Sequence, residues 1–261
     1  MTVCCLFGKP ISHSLSPDLH NACYKAMGMN WKYVSFSPET FYAGLDAVRN
    51  LNIRGVSVTI PFKEDGCNNE FFDVLSPGAL ATGAVSAIVN DNGALSGYNT
   101  DLDGLKRCID KDEISGKSVV VFGAGGVAKS CILFAQRCNA SKITVISKND
   151  WRINRIQKLF DVEFSEEMVE GDILFNASSV GLNDDCPWSE SVINNSFMVI
   201  DLPYVRYKRT VLELTCFNNK IPYVSGQQVL LGLAKEQFRL FTGTEAPIGV
   251  MEAVLQDVKA V

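Results

Sequence analysis

The sequence predicts an α/β protein made of two units: an N-terminal α/β layer and a Rossmann-type, doubly wound dinucleotide-binding domain. The first supporting observation is local. The apolar run Ser118–Phe122 enters Gly123-Ala124-Gly125-Gly126-Val127-Ala128, and helical patterning follows from Val127 to Arg137. This is G-x-G-x-x-A between a strand and a helix. Gly123 suits a tight turn, Gly125 lets backbone approach a pyrophosphate, and Ala128 lets helix and strand touch. Helix N–H groups and the positive helix end then face the phosphates. The second observation is order: strand and helix patterns alternate before the glycines and resume after them. The third is size, since 261 residues with 47% hydrophobic content can bury two modest cores.

The elements follow in order. Val3–Phe7 fits a strand, Pro17–Met27 a helix, Trp31–Phe36 a strand and Thr40–Leu51 a helix. Gly55–Thr59 is a strand closed off by Pro61, which cannot serve a central ladder. Helical patterning spans Phe71–Ala81. A hairpin follows, Ala84–Val89 and Leu95–Tyr98, turning on Asp91-Asn92-Gly93, where asparagine and glycine tolerate positive φ. Leu102–Cys108 connects to the second unit. There, strands are expected at Val119–Phe122, Lys142–Ile146, Asp172–Asn176, Phe197–Leu202 and Pro222–Val224. Helices are expected at Val127–Arg137, Trp151–Leu159, Arg209–Asn218, Gln228–Phe241 and Gly249–Val258.

Composition excludes several classes of function. A net charge of −5 without a lysine-arginine run argues against a nucleic-acid or anionic-membrane surface. No stretch approaches the roughly 18 apolar residues of a membrane span. The N-terminus lacks the basic leader and apolar length of a signal peptide, so a cytoplasmic protein is expected. Nine scattered cysteines without C-x-x-C spacing suit reduced core thiols, and two histidines give a metal site almost no ligands.

Three polar clusters lie in the first unit. Ser12-His13-Ser14-Leu15-Ser16-Pro17 places three hydroxyls before a helix. Ser16 suits an N-cap, while hydroxyls together with helix N–H groups suit a bound carboxylate, and both readings stand. Val58-Thr59-Ile60-Pro61-Phe62-Lys63 puts a lysine just past a strand end, where ligands bind in α/β folds, although a solvated surface lysine is the ordinary reading from the residues alone. Gly97-Tyr98-Asn99-Thr100-Asp101 puts an aspartate at the entry to the connecting helix, as a cap or as a proton-transfer partner for Lys63.

Together these residues resemble the shikimate dehydrogenase family. The motifs occur in the family's order: G-x-P-I-x-H-S-x-S-P with H-N, V-T-x-P-x-K, G-A-V, G-Y-N-T-D-x-x-G and G-A-G-G-x-A. Asn176-Ala177-Ser178-Ser179-Val180-Gly181, Asp201-x-x-Tyr204 and Gly226 come later. The resemblance covers nearly the whole chain. It implies a substrate domain of residues 1–101 with 237–261, and an NADP-binding domain of residues 102–236. It implies NADP-linked interconversion of 3-dehydroshikimate and shikimate, with Lys63 and Asp101 as the proton-transfer pair. Ser14, Ser16, Thr59 and Tyr204 would hold the substrate. Gly123, Ala124, Gly125, Gly126, Val127, Ala128, Ser147, Lys148, Asn149, Ala177, Ser178 and Gly226 would cradle the cofactor. No metal is implied, the partner is a small cyclic hydroxy-acid, and the protein is a monomer or homodimer.

The departures from the family bear on the substrate. The family's G-A-x-N-T is here Gly83-Ala84-Val85-Ser86-Ala87, so Ser86 replaces an amide directed at ring hydroxyls. Leu233 stands where the family's M-L-V-x-Q has glutamine, Ser57 replaces an asparagine, and Arg206 replaces a proline near Tyr204. Each lost hydrogen bond to a buried hydroxyl costs roughly 1–3 kcal/mol. Two such losses lower kcat/KM on the order of 10- to 10⁴-fold. Shikimate is therefore expected to be a poor substrate and a less polar cyclic hydroxy-acid a better one. An NAD-preferring fold would place an acid at the end of the second strand. Here that strand ends in Ser147-Lys148-Asn149, and Lys148 offers a cation to a 2′-phosphate, so NADP is favoured. Asp150 keeps NAD as the alternative cofactor, as in a quinate/shikimate dehydrogenase. A catalytically inactive binding protein is the alternative from another class, and retention of both Lys63 and Asp101 argues against it.

Overall fold

The computed structural model describes residues 1–67 and 69–259. It divides into two compact units, Met1–Asp103 with Leu233–Val261, and Gly104–Gly232.

The first unit opens with β1 (Thr2–Phe7), α1 (Ser16–Ala26), β2 (Trp31–Phe36), α2 (Phe41–Asn50) and β3 (Gly55–Val58). These form two right-handed parallel steps, because short apolar strands alternate with helices long enough to cross back over them. Thr40 caps α2 by accepting from Ala43 N. Beyond β3 the chain departs from the expected helix over Phe71–Ala81. It makes 3-10 turns at Phe62–Cys67 and Asn69–Phe71, a two-residue strand β4 (Val74–Leu75), and then α3 (Pro77–Thr82). Pro77 in the first turn and the Ser76 cap on Ala79 N start that helix, and Gly83 ends it with φ 57°. The hairpin β5 (Ala87–Asp91) and β6 (Ala94–Tyr98) turns on Asn92 and Gly93, at φ 55° and 99°. The sheet order is β2-β1-β3-β5-β6-β4, with β5 antiparallel to both neighbours. Phe7, Val56 and Ile88 pack on Phe41, Leu45 and Val48 of α2 to form the core on one face.

The chain then runs through α4 (Asp101–Cys108) and a short α5 (Lys111–Ile114). The second unit continues with β7 (Ser118–Phe122), α6 (Gly126–Arg137), β8 (Lys142–Ile146), α7 (Asp150–Gln157), β9 (Glu163–Ser165), β10 (Ile173–Asn176), α8 (Glu190–Asn194), β11 (Met198–Asp201), α9 (Val211–Asn219) and β12 (Tyr223–Ser225). The helices α10 (Gly226–Thr242) and α11 (Ile248–Lys259) complete the chain. The six strands of the second unit are parallel in the order β12-β11-β10-β7-β8-β9. This is the doubly wound dinucleotide-binding order, with its switch point between β7 and β10. The sequence reading did not foresee β9 or α8. Both are too short to show a period, and β9 is a three-residue edge strand beside β8.

Candidate functional site

The glycine loop leaves β7 at the switch point. Gly123 has φ +111°, and a Cβ there would lie 2.8 Å from Ala177 O, so only glycine fits. Ala177 N in turn donates to Phe122 O, which holds the loop after β10 against this turn. Ala124 and Ala128 are buried, Gly126 and Val127 open α6, and Gly125 is its N-cap with no side-chain cap bond. A twelve-residue helix therefore presents its first-turn N–H groups without a competing side chain, which suits a phosphate.

At the end of β8, Ser147 Oγ accepts from Asn149 N, and Asn149 caps α7 by accepting from Arg152 N. Asn149 is thus a helix cap, and Asp150 is the first helical residue. The backbone N–H that the cap takes belongs to Arg152, a residue the sequence reading missed. Its Nη1 lies 3.4 Å from where a Cβ on Gly125 would sit. A planar guanidinium over the glycine loop joins exposed Lys148 as a second cation beside this turn, and it brings the bidentate fork that lysine lacks. An asparagine followed three residues later by arginine, at the start of a helical pattern, was the signal that could have found it.

Behind this loop lies a fully buried carboxylate. Asp201 accepts from Asn176 Nδ2 at 2.8 Å, Thr210 Oγ1 at 2.7 Å and Tyr223 OH at 2.9 Å. Burial pushes its carboxyl above the ordinary carboxylate range, against the three hydrogen bonds. Asn176 also donates to Val180 O, and its Oδ1 accepts from Ser178 Oγ at 2.8 Å, so the Ala177-Ser178 loop hangs from this network. Gly226 begins α10 pressed against backbone of Leu202 and Pro203, where no Cβ fits. Tyr204 lies in this unit, on the segment after β11. Arg206 leads into a turn closed by the Val205–Lys208 bridge, with Tyr207 at φ 69°.

The first unit brings two other predicted residues together. Lys63, in the 3-10 turn after β3, places Nζ 2.8 Å and 2.6 Å from the two carboxylate oxygens of Asp101, the first residue of α4. Their side chains are 15% and 3% exposed, so the pair is largely shielded from solvent. Val85 N donates to Lys63 O, tying the lysine's backbone to the segment that also holds Ser86.

Ser14 and Ser16 are buried, and Ser16 N donates to Ser14 Oγ at 3.3 Å. The expected Ser16 cap does not form. Ser16 is the first residue of α1, Leu15 is the N-cap, and no side-chain cap bond closes that helix end. Thr59 is partly buried and donates its N–H to Phe7 O. Ser86, expected to face a substrate, is 1% exposed; its Oγ accepts from Thr100 N at 2.7 Å and lies 2.9 Å from Thr100 Oγ1. Leu233 is partly buried on α10. One turn further along this helix, buried Gln237 bonds to Ser57, Ser86 and Thr100. The sequence reading gave Gln237 no role. Among the described residues, no group of three His, Cys, Asp or Glu could hold a metal, and no helix is long and apolar enough to cross a membrane.

A doubly wound dinucleotide-binding sheet and a shielded lysine–carboxylate pair on a separate α/β unit define the class as a dehydrogenase-type oxidoreductase. Residues 6–88 match the shikimate dehydrogenase substrate binding domain. The chain is 34% identical over 272 residues to a shikimate dehydrogenase (NADP(+)) of Methanothermobacter thermautotrophicus, covering 97% of this chain and 95% of that protein. It superposes on the crystal structure of shikimate dehydrogenase from Aquifex aeolicus with a TM-score of 0.86 at 27% identity, covering 98% of each chain. A Listeria monocytogenes shikimate 5-dehydrogenase, crystallised in complex with shikimate and NAD, matches with a TM-score of 0.78 at 26% identity, over 98% of this chain and 96% of that one. The chain belongs to the shikimate dehydrogenase family.

Proposed function

We propose that the protein is an NADP-dependent dehydrogenase that interconverts 3-dehydroshikimate and shikimate, or a closely related cyclic hydroxy-acid, with Lys63 and Asp101 as its proton-transfer pair. The observation that carries this is the two-point contact of Lys63 Nζ with the Asp101 carboxylate. Bound NADP supplies or accepts the hydride. The chain's own task is the proton on the substrate oxygen. As a ketone is reduced, the Lys63 ammonium gives a proton to the forming alkoxide; as an alcohol is oxidised, the amine takes the hydroxyl proton. Asp101 fixes the position of Nζ and balances its charge. Buried Ser14 and Ser16, at the start of a helix whose N-cap is a leucine, suit the substrate carboxylate. The name of the M. thermautotrophicus relative and the shikimate bound by the Listeria enzyme support this reading.

Arg152 over the glycine loop, with Lys148, favours NADP. The NAD of the Listeria complex keeps the other cofactor as the second reading. Arg152→Ala is expected to raise the KM for NADP⁺ by roughly 10- to 100-fold, the worth of one charged bidentate contact, and to leave that for NAD⁺ unchanged. Steady-state kinetics with both cofactors would show the split. Equal changes would remove Arg152 from 2′-phosphate recognition.

Substrate recognition is weaker than the motifs alone imply. The hydroxyls of Ser57 and Ser86 are engaged inside the protein, and Leu233 has no polar group. Shikimate is therefore expected to be turned over with a high KM. Leu233→Gln and Ser86→Asn would each restore one of the family's amides. Because Ser86 is buried against Thr100, only the helix position has room for an amide without breaking internal bonds. Leu233→Gln alone should raise kcat/KM for shikimate by about 10-fold or more, the value of one hydrogen bond to a hydroxyl. A panel of cyclic hydroxy-acids with NADP⁺, followed at 340 nm, tests the reading. Turnover of none of them, with Lys63 intact, would refute it.

A further inference from the structure

We propose that Gln237 is a positioning residue for the Lys63–Asp101 pair, setting through Thr100 the geometry in which the proton moves. The inference rests on the reading of that pair given above. Its basis is a hydrogen-bond chain whose direction is fixed from end to end. Tyr33 OH donates to Ser57 Oγ at 2.6 Å, and Ser57 Oγ donates to Gln237 Oε1 at 2.5 Å. The amide's other end donates from Nε2 to Thr100 Oγ1 at 3.0 Å and to Ser86 O at 3.2 Å. Ser86 O can only accept, so Nε2 must face it and Oε1 must face Ser57; a flipped amide would set two carbonyl oxygens together.

Every member of the chain is at most 3% exposed. Buried polar groups cost stability unless fully paired, and this amide is paired at both of its ends. What the glutamine adds is a fixed point for one peptide. Thr100 lies between the last residue of β6, Tyr98, and the first of α4, Asp101, where one backbone bond on each side, Ser86 N to Tyr98 O and Asp103 N to Thr100 O, anchors the chain. Three side chains fix it further. Asn99 Nδ2 donates to Thr82 Oγ1 at 2.8 Å, and Thr100 is clasped by Ser86 Oγ and Gln237 Nε2. Asp101 follows directly, and its two carboxylate oxygens set where Lys63 Nζ stands. A shift of about 1 Å at a reacting group costs on the order of 100-fold in rate, so a joint held by side chains bears on turnover more than on binding.

The same geometry accounts for three sequence departures together. Serines at 57 and 86 are shorter than the asparagines of the resembling family. A glutamine one helical turn beyond Leu233 fills the space between them and ties β3, β5 and the start of α4 to α10. The amide has moved from the ligand's side to the support of the pair.

The test is steady-state kinetics of the full-length protein with shikimate and NADP⁺. Gln237→Met, similar in length and volume, is expected to lower kcat about 10-fold while both KM values stay within twofold. Thr100→Val removes the hydroxyl at the other end of the same bond and should give the same split, so the proposal stays testable if Gln237→Met folds poorly. The double variant Ser57→Asn/Gln237→Ala returns an amide from the strand side and should recover at least a third of the lost kcat, which a simple packing role would not predict. If Lys63→Ala abolishes turnover while Gln237→Met and Thr100→Val leave kcat unchanged, Gln237 does not position the pair. If Lys63→Ala itself retains turnover, the reading of the pair has failed instead.

Discussion

Lys63→Ala is expected to lower kcat by about 10²- to 10⁴-fold, the usual contribution of a positioned proton donor, with the KM for substrate changed much less. The distinction follows from where Lys63 stands. Its ammonium is held by Asp101 at two oxygens, and the role proposed for it is to carry a proton that moves only as the reaction proceeds. Removing it also leaves a carboxylate, 3% exposed, without its counter-charge, which can cost about 3–5 kcal/mol of stability. Activity and stability would then fall together and confuse the result. The double variant Lys63→Met/Asp101→Asn separates them, because it removes both charges at nearly constant volume. It should regain most of the stability measured by denaturant and none of the turnover. Recovery of turnover in the double variant would show that Lys63 matters only as a partner for Asp101.

That pair shows what the sequence made legible and where legibility ended. Lys63 and Asp101 are 38 residues apart, and spacing alone does not bring them together. Each sits just beyond a strand end, and the motifs around them match the family in order. The glycine loop was legible for a different reason, since Gly123 answers a local constraint, a positive φ against backbone, that leaves its mark in one residue. The Asn92-Gly93 hairpin turn was legible on the same ground.

What was missed depends on partners distant in the chain or on elements too short to show a period. The 3-10 turns and the two-residue β4 before α3 gave only a diffuse helical pattern over Phe71–Ala81. Ser16 followed by proline matched a cap signal, yet the helix begins one residue earlier in register, with Leu15 as its cap. Gln237 lay on a helix with many polar neighbours, and its partners are 137 to 180 residues away. A buried amide on such a helix cannot be told from a solvated one until the sheet beneath it is known. The family motif ends at Leu233, where an amide is absent, and does not reach the amide one turn later.

Acid should unfold this protein through His20 in particular. His20 is fully buried on α1, its ring stacks on Tyr33 at 4.4 Å, and neither ring nitrogen has a hydrogen-bond partner. Burial lowers its pKa from 6.5 to about 3. The folded state therefore keeps the ring neutral while the unfolded chain protonates it. A depressed folded pKa means that the stability it contributes is complete above about pH 6.5 and is lost as pH falls towards 3, at about 1.4 kcal/mol per pH unit. Between pH 7 and pH 4 this amounts to about 3 kcal/mol. His20→Leu, close to the same volume, should lose about that much less stability over the same interval, measured as the change in urea midpoint multiplied by a constant m-value. Equal acid sensitivity of the two proteins would place the loss on carboxylates instead. The consequence reaches the site, because the ring beneath His20 belongs to Tyr33. Asn21 fixes the backbone of Tyr33 through two hydrogen bonds, and its hydroxyl begins the chain that ends at Thr100. Protonating His20 in the folded state would bury a charge away from water, and that burial excludes the charged form. Activity of the wild type below pH 5 should then decline with the folded fraction, while His20→Leu keeps its turnover to a lower pH.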